Sequence, residues 1–274
     1  MGSVKSSSSD LSIISWNVNG LRACAAKGFG QWLAACNADI VGVQEVRAQQ
    51  SQLPEEIASP TGWHPHFVAA QRPGYSGVGL YSRQKWQEMH TGLGQAEFDA
   101  EGRSHLARFG KLSVFNGYFP NGNGKERDNS RIPFKLDFYR SVFQRVQAEA
   151  ACGQHVVVMG DFNTAPREID LARPKDNVKV SGFCPEERQE IERWLSAGWI
   201  DSFRHVHPER TGAYSWWSQR FGVREKNVGW RIDLMMLSPS LLPYVRGAEI
   251  HAHTMGSDHC PVHLTLDRAV LSQT

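Results

Sequence analysis

The apolar positions of this chain fall into short runs rather than long helical stripes. Residues 156–159, Val-Val-Val-Met, form a β-branched run bounded by Gly160. A run of that length and composition reads as a strand buried on both faces. Similar runs at 11–16, 39–45, 75–81, 231–237 and 262–266 predict further strands, and residues 101–109 and 111–119 predict a hairpin turning at Gly110-Lys111. Helical spacing occurs at Ile132, Leu136, Tyr139, Phe143 and Val146, the stripe of an amphipathic helix. A second helix opens at Pro185-Glu186-Glu187, where proline and acids suit a first turn, carries Ile191, Trp194 and Leu195, and ends at Gly198. Residues 21–35 read as a loop and then a helix. Many strands, few helices and no regular βα alternation predict two packed sheets with helices outside. No linker divides the chain. One domain is expected over 11–268, with tails at 1–10 and 269–274.

Polar groups gather where these strands end. Asn17 and Asn19 follow the first strand, Glu45 the second and Tyr118 the second arm of the hairpin. Asp161 and Asn163 follow the 156–159 run, Asp233 lies early in its strand, and Asp258-His259 come just before the last one. Each has a plain reading. Asp and Asn form turns, Asn-Gly makes tight hairpins, Glu45 could be a solvated rim residue paired with Arg47, and Tyr118 a packed aromatic. A rigid strand end, however, is also a mount for chemistry, and together the set suits phosphodiester hydrolysis. That reaction needs charge neutralisation, an oriented water and a base. Glu45 offers the hard oxygen that Mg²⁺ prefers. His259, protonated and held by a carboxylate such as Asp233, can donate to a non-bridging oxygen. Asp161 can take a proton from water, with Asn163 and Asn17 fixing geometry.

Composition narrows the partners. With 30 basic and 28 acidic residues the net charge is only +2, so any contact with DNA must come from a local patch rather than from global charge. Residues 214–230 interleave Tyr214, Trp216, Trp217 and Trp230 with Arg220, Arg224 and Lys226, a pattern that suits phosphate contact and stacking or a core Trp pair under a solvated basic loop. The loop 121–130 with Arg131 is also basic, through Lys125 and Arg127. The 5 cysteines show no close CxxC spacing, which argues against a zinc site or disulfide scaffold and for a reducing, intracellular setting. No run is long and apolar enough to span a membrane.

Several motifs carry a family resemblance. Ser15-Trp16-Asn17-Val18-Asn19-Gly20, Gln44-Glu45, Gly77-Val78-Gly79, Gly160-Asp161-Phe162-Asn163-Thr164-Ala165, Asn227-Val228-Gly229-Trp230-Arg231-Ile232-Asp233 and Ser257-Asp258-His259 stand in order from about residue 11 to 266. In these the chain resembles the exonuclease III family of AP endonucleases. The resemblance implies an α/β fold, a four-layer α/β sandwich of two packed mixed β-sheets flanked by helices. It implies Mg²⁺- or Mn²⁺-dependent cleavage 5′ to an abasic site to leave a 3′-OH, with 3′-phosphatase or 3′-phosphodiesterase and 3′→5′ exonuclease side activities. The expected partner is double-stranded DNA with abasic sites or blocked 3′ ends. A monomer is the default, in the cytoplasm or nucleoid if the source is bacterial.

By motif position Glu45 resembles the chief metal ligand, with Asp258 and Asn19 near the metal; Asn19 stands where some members carry Asp. Asp161 resembles the residue that activates or orients the water, Asn163 and Asn17 its partners. Tyr118 resembles the phenol at the phosphate, and Asp233 with His259 the pair that stabilises developing charge. Whether Asp161 or Tyr118 is the general base stays open. Trp216, Trp230 and Ile232 match the wall of a pocket for a base-free sugar. Arg22, Lys27, Tyr75, Arg103, Asn121 and Asn177 match substrate-contacting positions. Two alternatives are a phosphatase or phosphodiesterase for lipid or inositol phosphates and a non-catalytic DNA-binding or scaffold member. The first would lack residues 227–230 beside an aromatic pocket, the second a catalytic group.

Overall fold

The computed structural model describes residues 9–126, 128–219 and 222–272. Its strands are β1 (Asp10–Asn17), β2 (Ile40–Gln44), β3 (His64–Val68), β4 (Val78–Ser82), β5 (Glu88–Thr91) and β6 (Ser104–Phe109), then β7 (Leu112–Tyr118), β8 (His155–Asp161), β9 (Ile200–Asp201), β10 (Asp233–Leu237), β11 (Val245–Ile250) and β12 (Val262–Asp267). They form two 6-stranded sheets, ordered β11-β12-β1-β2-β4-β3 and β5-β6-β7-β8-β10-β9.

Alternation along the strands builds the layers. Val157 and Met159 of β8 point between the sheets, where they meet Ile13, Leu80, Val114 and Leu264. Val156 and Val158 point the other way, toward Phe138, Val142 and Val146 of the helix Ile132–Ala151 and Trp194 of the helix Pro185–Ser196. On the opposite sheet Ile14 and Trp16 face outward onto Leu21, Phe29 and Leu33 of two short helices, Leu21–Ala25 and Phe29–Ala35. The result is helix, sheet, sheet, helix, the four layers expected. Burying one valine or leucine stabilises by about 1.5–3 kcal/mol. A one-residue slip of β8 would turn both of its apolar sets over, so the core itself fixes where Asp161 sits.

Strand direction then gathers the polar ends. β1 and β2 are parallel, with Asn17 opposite Gln44, and β7 and β8 are parallel, with Tyr118 opposite Asp161. Parallel neighbours end on the same side, so four strand ends share one edge of the sandwich. β10 runs antiparallel to β8 and places its first residue, Asp233, opposite Asp161. β12 runs antiparallel to β1 with Val262 opposite Ser15, which carries the residues before β12, Asp258 and His259, to the end of β1.

The interior strands follow the sequence pattern; the edge strands β3, β5, β9 and β11 are additions to it. At the other end of the chain, residues expected as a tail are part of the fold. Arg268–Leu271 forms a 3₁₀ turn whose Val270 is buried in the inter-sheet core, and Arg268 pairs with Asp39 at 2.8 Å. Among the described residues no helix is long and apolar enough to cross a membrane, and Cys24, Cys36, Cys152, Cys184 and Cys260 are all free.

Candidate active site

The site is built on glycine as much as on acid. Gly160, the last residue before Asp161, has a φ of 149°, and a Cβ there would stand 1.8 Å from the Gly117 carbonyl oxygen. Only glycine lets β8 run that close to β7. Beyond Asp161 the chain reverses through Asn163, whose φ of 51° is left-handed, a conformation that asparagine tolerates better than bulkier residues. The Asn163 N–H donates to Asp161 Oδ1 at 2.8 Å, closing an Asx turn. The turn that sequence alone suggests is therefore present, and it serves to aim a carboxylate.

Asn17 is the hub. Its Nδ2 donates to Glu45 Oε1 at 2.9 Å and to Asp161 Oδ2 at 2.8 Å. Asn163 Nδ2 adds a 3.2 Å bond to Asp161 Oδ2 and a 3.0 Å bond to the Phe119 carbonyl, and Asn121 Nδ2 donates to Asn163 Oδ1 at 3.1 Å. Glu45 also has a left-handed backbone, with a φ of 54°. Its carbonyl accepts from Gly20 N–H at 2.8 Å, and Val46 N–H donates to Gly77 O at 3.0 Å. Oε2 of Glu45 pairs with Arg47. The ion pair weighed against a ligand role is thus real, yet Arg47 is 43 % exposed and comes from the solvent side.

His259 is held by Asp233, whose Oδ2 lies 2.9 Å from Nδ1, while Nε2 points toward Asp161 Oδ2 at 3.9 Å. Burial alone would lower the imidazole pKa. The charge and hydrogen bond of Asp233, with smaller contributions from Asp161 and Asp258, outweigh it and raise the pKa to about 10. His259 is therefore a cation at neutral pH. Burial first, then the negative charges of Asp233 and Asp161's other neighbour Glu45, push Asp161 up to about 7 against the opposing pull of His259. Burial, reinforced by Glu45 and Asp161 and opposed by Arg103, keeps the Tyr118 phenol neutral by raising its pKa well above 10.

One ligand atom each from Glu45, Asp161 and His259 lies within 4.8 Å of the others. Two buried carboxylates sharing an asparagine donor are hard-oxygen chemistry, which fits a small divalent cation. Asp258 and Asn19, the other groups expected near the metal, line the cavity above this cluster. Asn19 Nδ2 donates to Asp258 Oδ1 at 2.8 Å, and Trp216 Nε1 donates to Asp258 Oδ2 at 3.2 Å. Asp258 thereby joins the floor of the site to its aromatic wall.

Above the cluster opens a cavity of ≈ 340 Å³. Of the expected residues, Asn19, Glu45, Tyr118, Asn121, Asp161, Asn163, Trp216, Trp230, Ile232, Asp258 and His259 line it, together with Arg47, Ser181 and Gly182. Trp216 and Trp230 meet edge to face at 6.3 Å. Trp217 is buried on the other side, with Nε1 donating to Asn227 Oδ1 at 3.1 Å. So Trp216 is wall and Trp217 is core.

The expected phosphate contacts divide. Arg22, within the first short helix, and Lys27, just after it, are exposed. Asn177 lies at a neighbouring cavity that shares Trp216 and Trp230, its Nδ2 bound to the Arg173 carbonyl at 2.6 Å. Arg103 must be corrected: it is 3 % exposed. Its Nε pairs with Glu101, NH1 donates to the Tyr118 carbonyl at 2.9 Å and NH2 to the Tyr75 hydroxyl at 2.8 Å. Its guanidinium holds Tyr118 and Tyr75 rather than facing solvent. Arg131 is likewise bound to Glu101 at 2.9 Å, and Arg224 donates to the carbonyls of Ala252, Thr254 and Ser257 at 2.7–2.9 Å. Arg127 and Arg220 lie outside the described residues.

Known proteins resemble this chain over most of its length. A Bacillus subtilis exodeoxyribonuclease is 40 % identical over 258 residues, spanning 94 % of this chain and 100 % of its own. A Danio rerio protein, DNA repair nuclease APEX1, is 37 % identical over 260 residues, 94 % of this chain and 82 % of its own. A 3′ phosphatase from Neisseria, solved bound to a product DNA hairpin, superposes with a TM-score of 0.84 at 29 % identity over 94 % of this chain and 99 % of its own. The family model described as Endonuclease/Exonuclease/phosphatase family matches residues 14–259, a span that takes in every strand-end group from Asn17 to His259, and the chain belongs to that family.

Proposed function

We propose that the protein is a divalent-metal-dependent DNA repair nuclease that hydrolyses the phosphodiester 5′ to an abasic site and leaves a 3′-OH, with 3′-phosphatase, 3′-phosphodiesterase and 3′→5′ exonuclease side activities. The observation that carries this reading is the meeting of Glu45, Asp161 and His259 within 4.8 Å at the floor of a cavity walled by Trp216, Trp230 and Ile232. A Mg²⁺ or Mn²⁺ ion held by Glu45, with Asp161 beside it, would supply charge neutralisation at the phosphate.

The chain's own groups divide the remaining work. Asp161 Oδ2, oriented by Asn17 and Asn163, accepts the proton of the attacking water. A carboxylate raised to about 7 suits a base working near neutral pH. The raised Tyr118 pKa supports a neutral phenol that donates to the phosphate, rather than a phenolate base. Cationic His259 donates from Nε2 to a non-bridging oxygen as negative charge develops there, with Asp233 fixing its ring. Trp216, Trp230 and Ile232 offer an apolar wall to a base-free sugar, and collision of an intact nucleotide with that wall would make selectivity follow from shape. Exposed Arg22 and Lys27 hold the duplex backbone.

The test is a gel assay of abasic, 3′-phosphate and intact duplexes, run with Mg²⁺, with Mn²⁺ and with EDTA. We expect a nick 5′ to the abasic site, release of the 3′-phosphate, little attack on intact interior DNA and no product in EDTA. Equal cleavage of abasic and intact duplexes, or activity that survives EDTA, overturns the reading.

A further inference from the structure

Beneath the 161–163 turn, the helix Ile132–Ala151 presents two polar groups one helical turn apart. Lys135 is completely buried, and its Nζ donates to the Asn163 carbonyl at 2.6 Å and to Glu187 Oε1 at 2.7 Å. Tyr139, four residues on, donates from its hydroxyl to the Phe162 carbonyl at 2.6 Å. Glu187, also completely buried, lies in the first turn of the helix Pro185–Ser196. Its Oε2 accepts from the N–H groups of Gly182 at 2.6 Å and Cys184 at 3.1 Å, and its Oε1 from the Ser181 hydroxyl at 3.1 Å.

A buried ion pair is a poor source of stability, because the desolvation of two charges offsets most of their attraction and apolar residues of similar volume do as well. What this pair does supply is a connection. One end holds the turn that aims Asp161 and Asn163; the other holds Ser181 and Gly182, which line the same cavity. Gly182 packs so tightly that a Cβ there would stand 3.0 Å from the Asn163 carbonyl and 3.2 Å from the Trp230 ring. Floor and wall are therefore joined by the lysine–glutamate link, beside the 2.8 Å bond from Ala165 N–H to the Gly182 carbonyl.

We propose that Lys135 and Glu187 are positioning residues, a buried pair that keeps the Asp161–Asn163 floor and the Gly182–Trp230 wall in one fixed relation. The proposal rests on the nuclease reading given above. The pair would act on catalysis through placement, without touching substrate.

The test compares wild type, Lys135→Met and the double variant Lys135→Met with Glu187→Gln. The double variant leaves no uncompensated buried charge and keeps an oxygen for Gly182 N–H. Thermal unfolding, kcat and KM on an abasic duplex, and backbone amide exchange of residues 161–164 and 181–184 are read on the same proteins. We expect the single variant to lose stability and the double variant to regain most of it. Its kcat should nevertheless stay about 10- to 100-fold below wild type with KM within about 3-fold, the pattern of misplaced groups in a folded enzyme. Exchange should quicken in both segments of the double variant. Wild-type kcat in a stably folded double variant, or unchanged exchange in both segments, overturns the proposal. Exchange needs no substrate, so it decides the positioning role even if wild type cleaves no abasic DNA, an outcome that would sink the nuclease reading alone.

Discussion

At the scale of single residues, the groups legible in the sequence are those whose chemistry is local. Asp161, Asn163, Glu45 and His259 could be singled out because a polar residue at the end of an apolar run stands out. Burial is not local, and that is where the reading of single residues went astray. Arg103 sits at the start of the predicted hairpin, yet neighbouring Glu101 and two contacts from distant segments, the Tyr118 carbonyl and the Tyr75 hydroxyl, turn it into a brace for Tyr118. Lys135 is a charged residue within the helical stripe of Ile132 and Tyr139, and it is wholly buried. For Asp161 and His259 the structure permits a sharper expectation. Asp161→Asn removes the proton acceptor while its shape and the Asn17 contact can persist, and His259→Asn removes the cation opposite Asp161. Each should lower kcat by about 10³-fold or more and leave duplex affinity near wild type. Single-turnover cleavage beside a binding titration checks this; near-normal rates in either variant would take that residue out of the reaction.

At the scale of elements, the interior strands were legible and the edge strands were not, for one reason. An interior strand such as β8 is covered on both faces and must be apolar throughout, whereas β3, β5 and β11 are only partly covered. A sequence such as Glu88-Met89-His90-Thr91 carries no period to read. Between elements the governing force is sometimes ionic. Asp170 Oδ1 accepts from Arg231 Nε at 2.7 Å and from Arg204 NH2 at 2.6 Å, and Arg231 NH2 reaches Asp201 at 2.6 Å. Arg231 stands two residues before Asp233, so this network anchors the start of β10 and hence the partner of His259. Removing one member of a buried network leaves its partners uncompensated. Asp170→Asn should therefore cost about 3–5 kcal/mol at neutral pH, read from denaturant midpoints. Burial alone would raise the Asp170 pKa, but Arg231 and Arg204 outweigh it and hold it below the usual aspartate range. The network's stabilisation is thus present above the unfolded aspartate value and lost as pH falls through the lowered one. The gap between wild type and variant should close at strongly acid pH; a gap that stays constant would show that the lost term is not ionic.

At the scale of the whole molecule, the sandwich encloses polar groups between its sheets, and these set its response to acid. His105 of β6 and His66 of β3 face each other from opposite sheets, their rings 5.4 Å apart. Asn116 Nδ2 donates to His105 Nε2 at 3.2 Å and to the Gly79 carbonyl of the other sheet at 2.9 Å, while Gln44 Nε2 donates to Asn116 Oδ1 at 2.7 Å. Burial, with the nearby His66 adding to it, pushes the His105 pKa down to about 3. The folded protein therefore keeps this imidazole neutral, whereas the unfolded chain protonates it below about 6.5. Because the unfolded state then binds the extra proton, stability must fall as pH drops through that value, by about 1.4 kcal/mol at pH 5.5 from this group. His259 works in the opposite sense: its stabilisation is complete below the unfolded histidine value, declines as pH rises above it and is lost once pH passes about 10. His105 thus adds to the acid limb of the stability curve from the inter-sheet core, beside the Asp170 network, and His259 to the alkaline limb from the active-site edge. His105→Gln keeps an acceptor for Asn116 and cannot be protonated. It should lower stability at pH 7.5 through imperfect packing yet lose less than wild type between pH 7.5 and 5.5, as measured by urea denaturation at the two pH values. An equal loss in both proteins would mean that acid enters the fold by another door, through His66 or the surface carboxylates, and not through the middle of the sandwich.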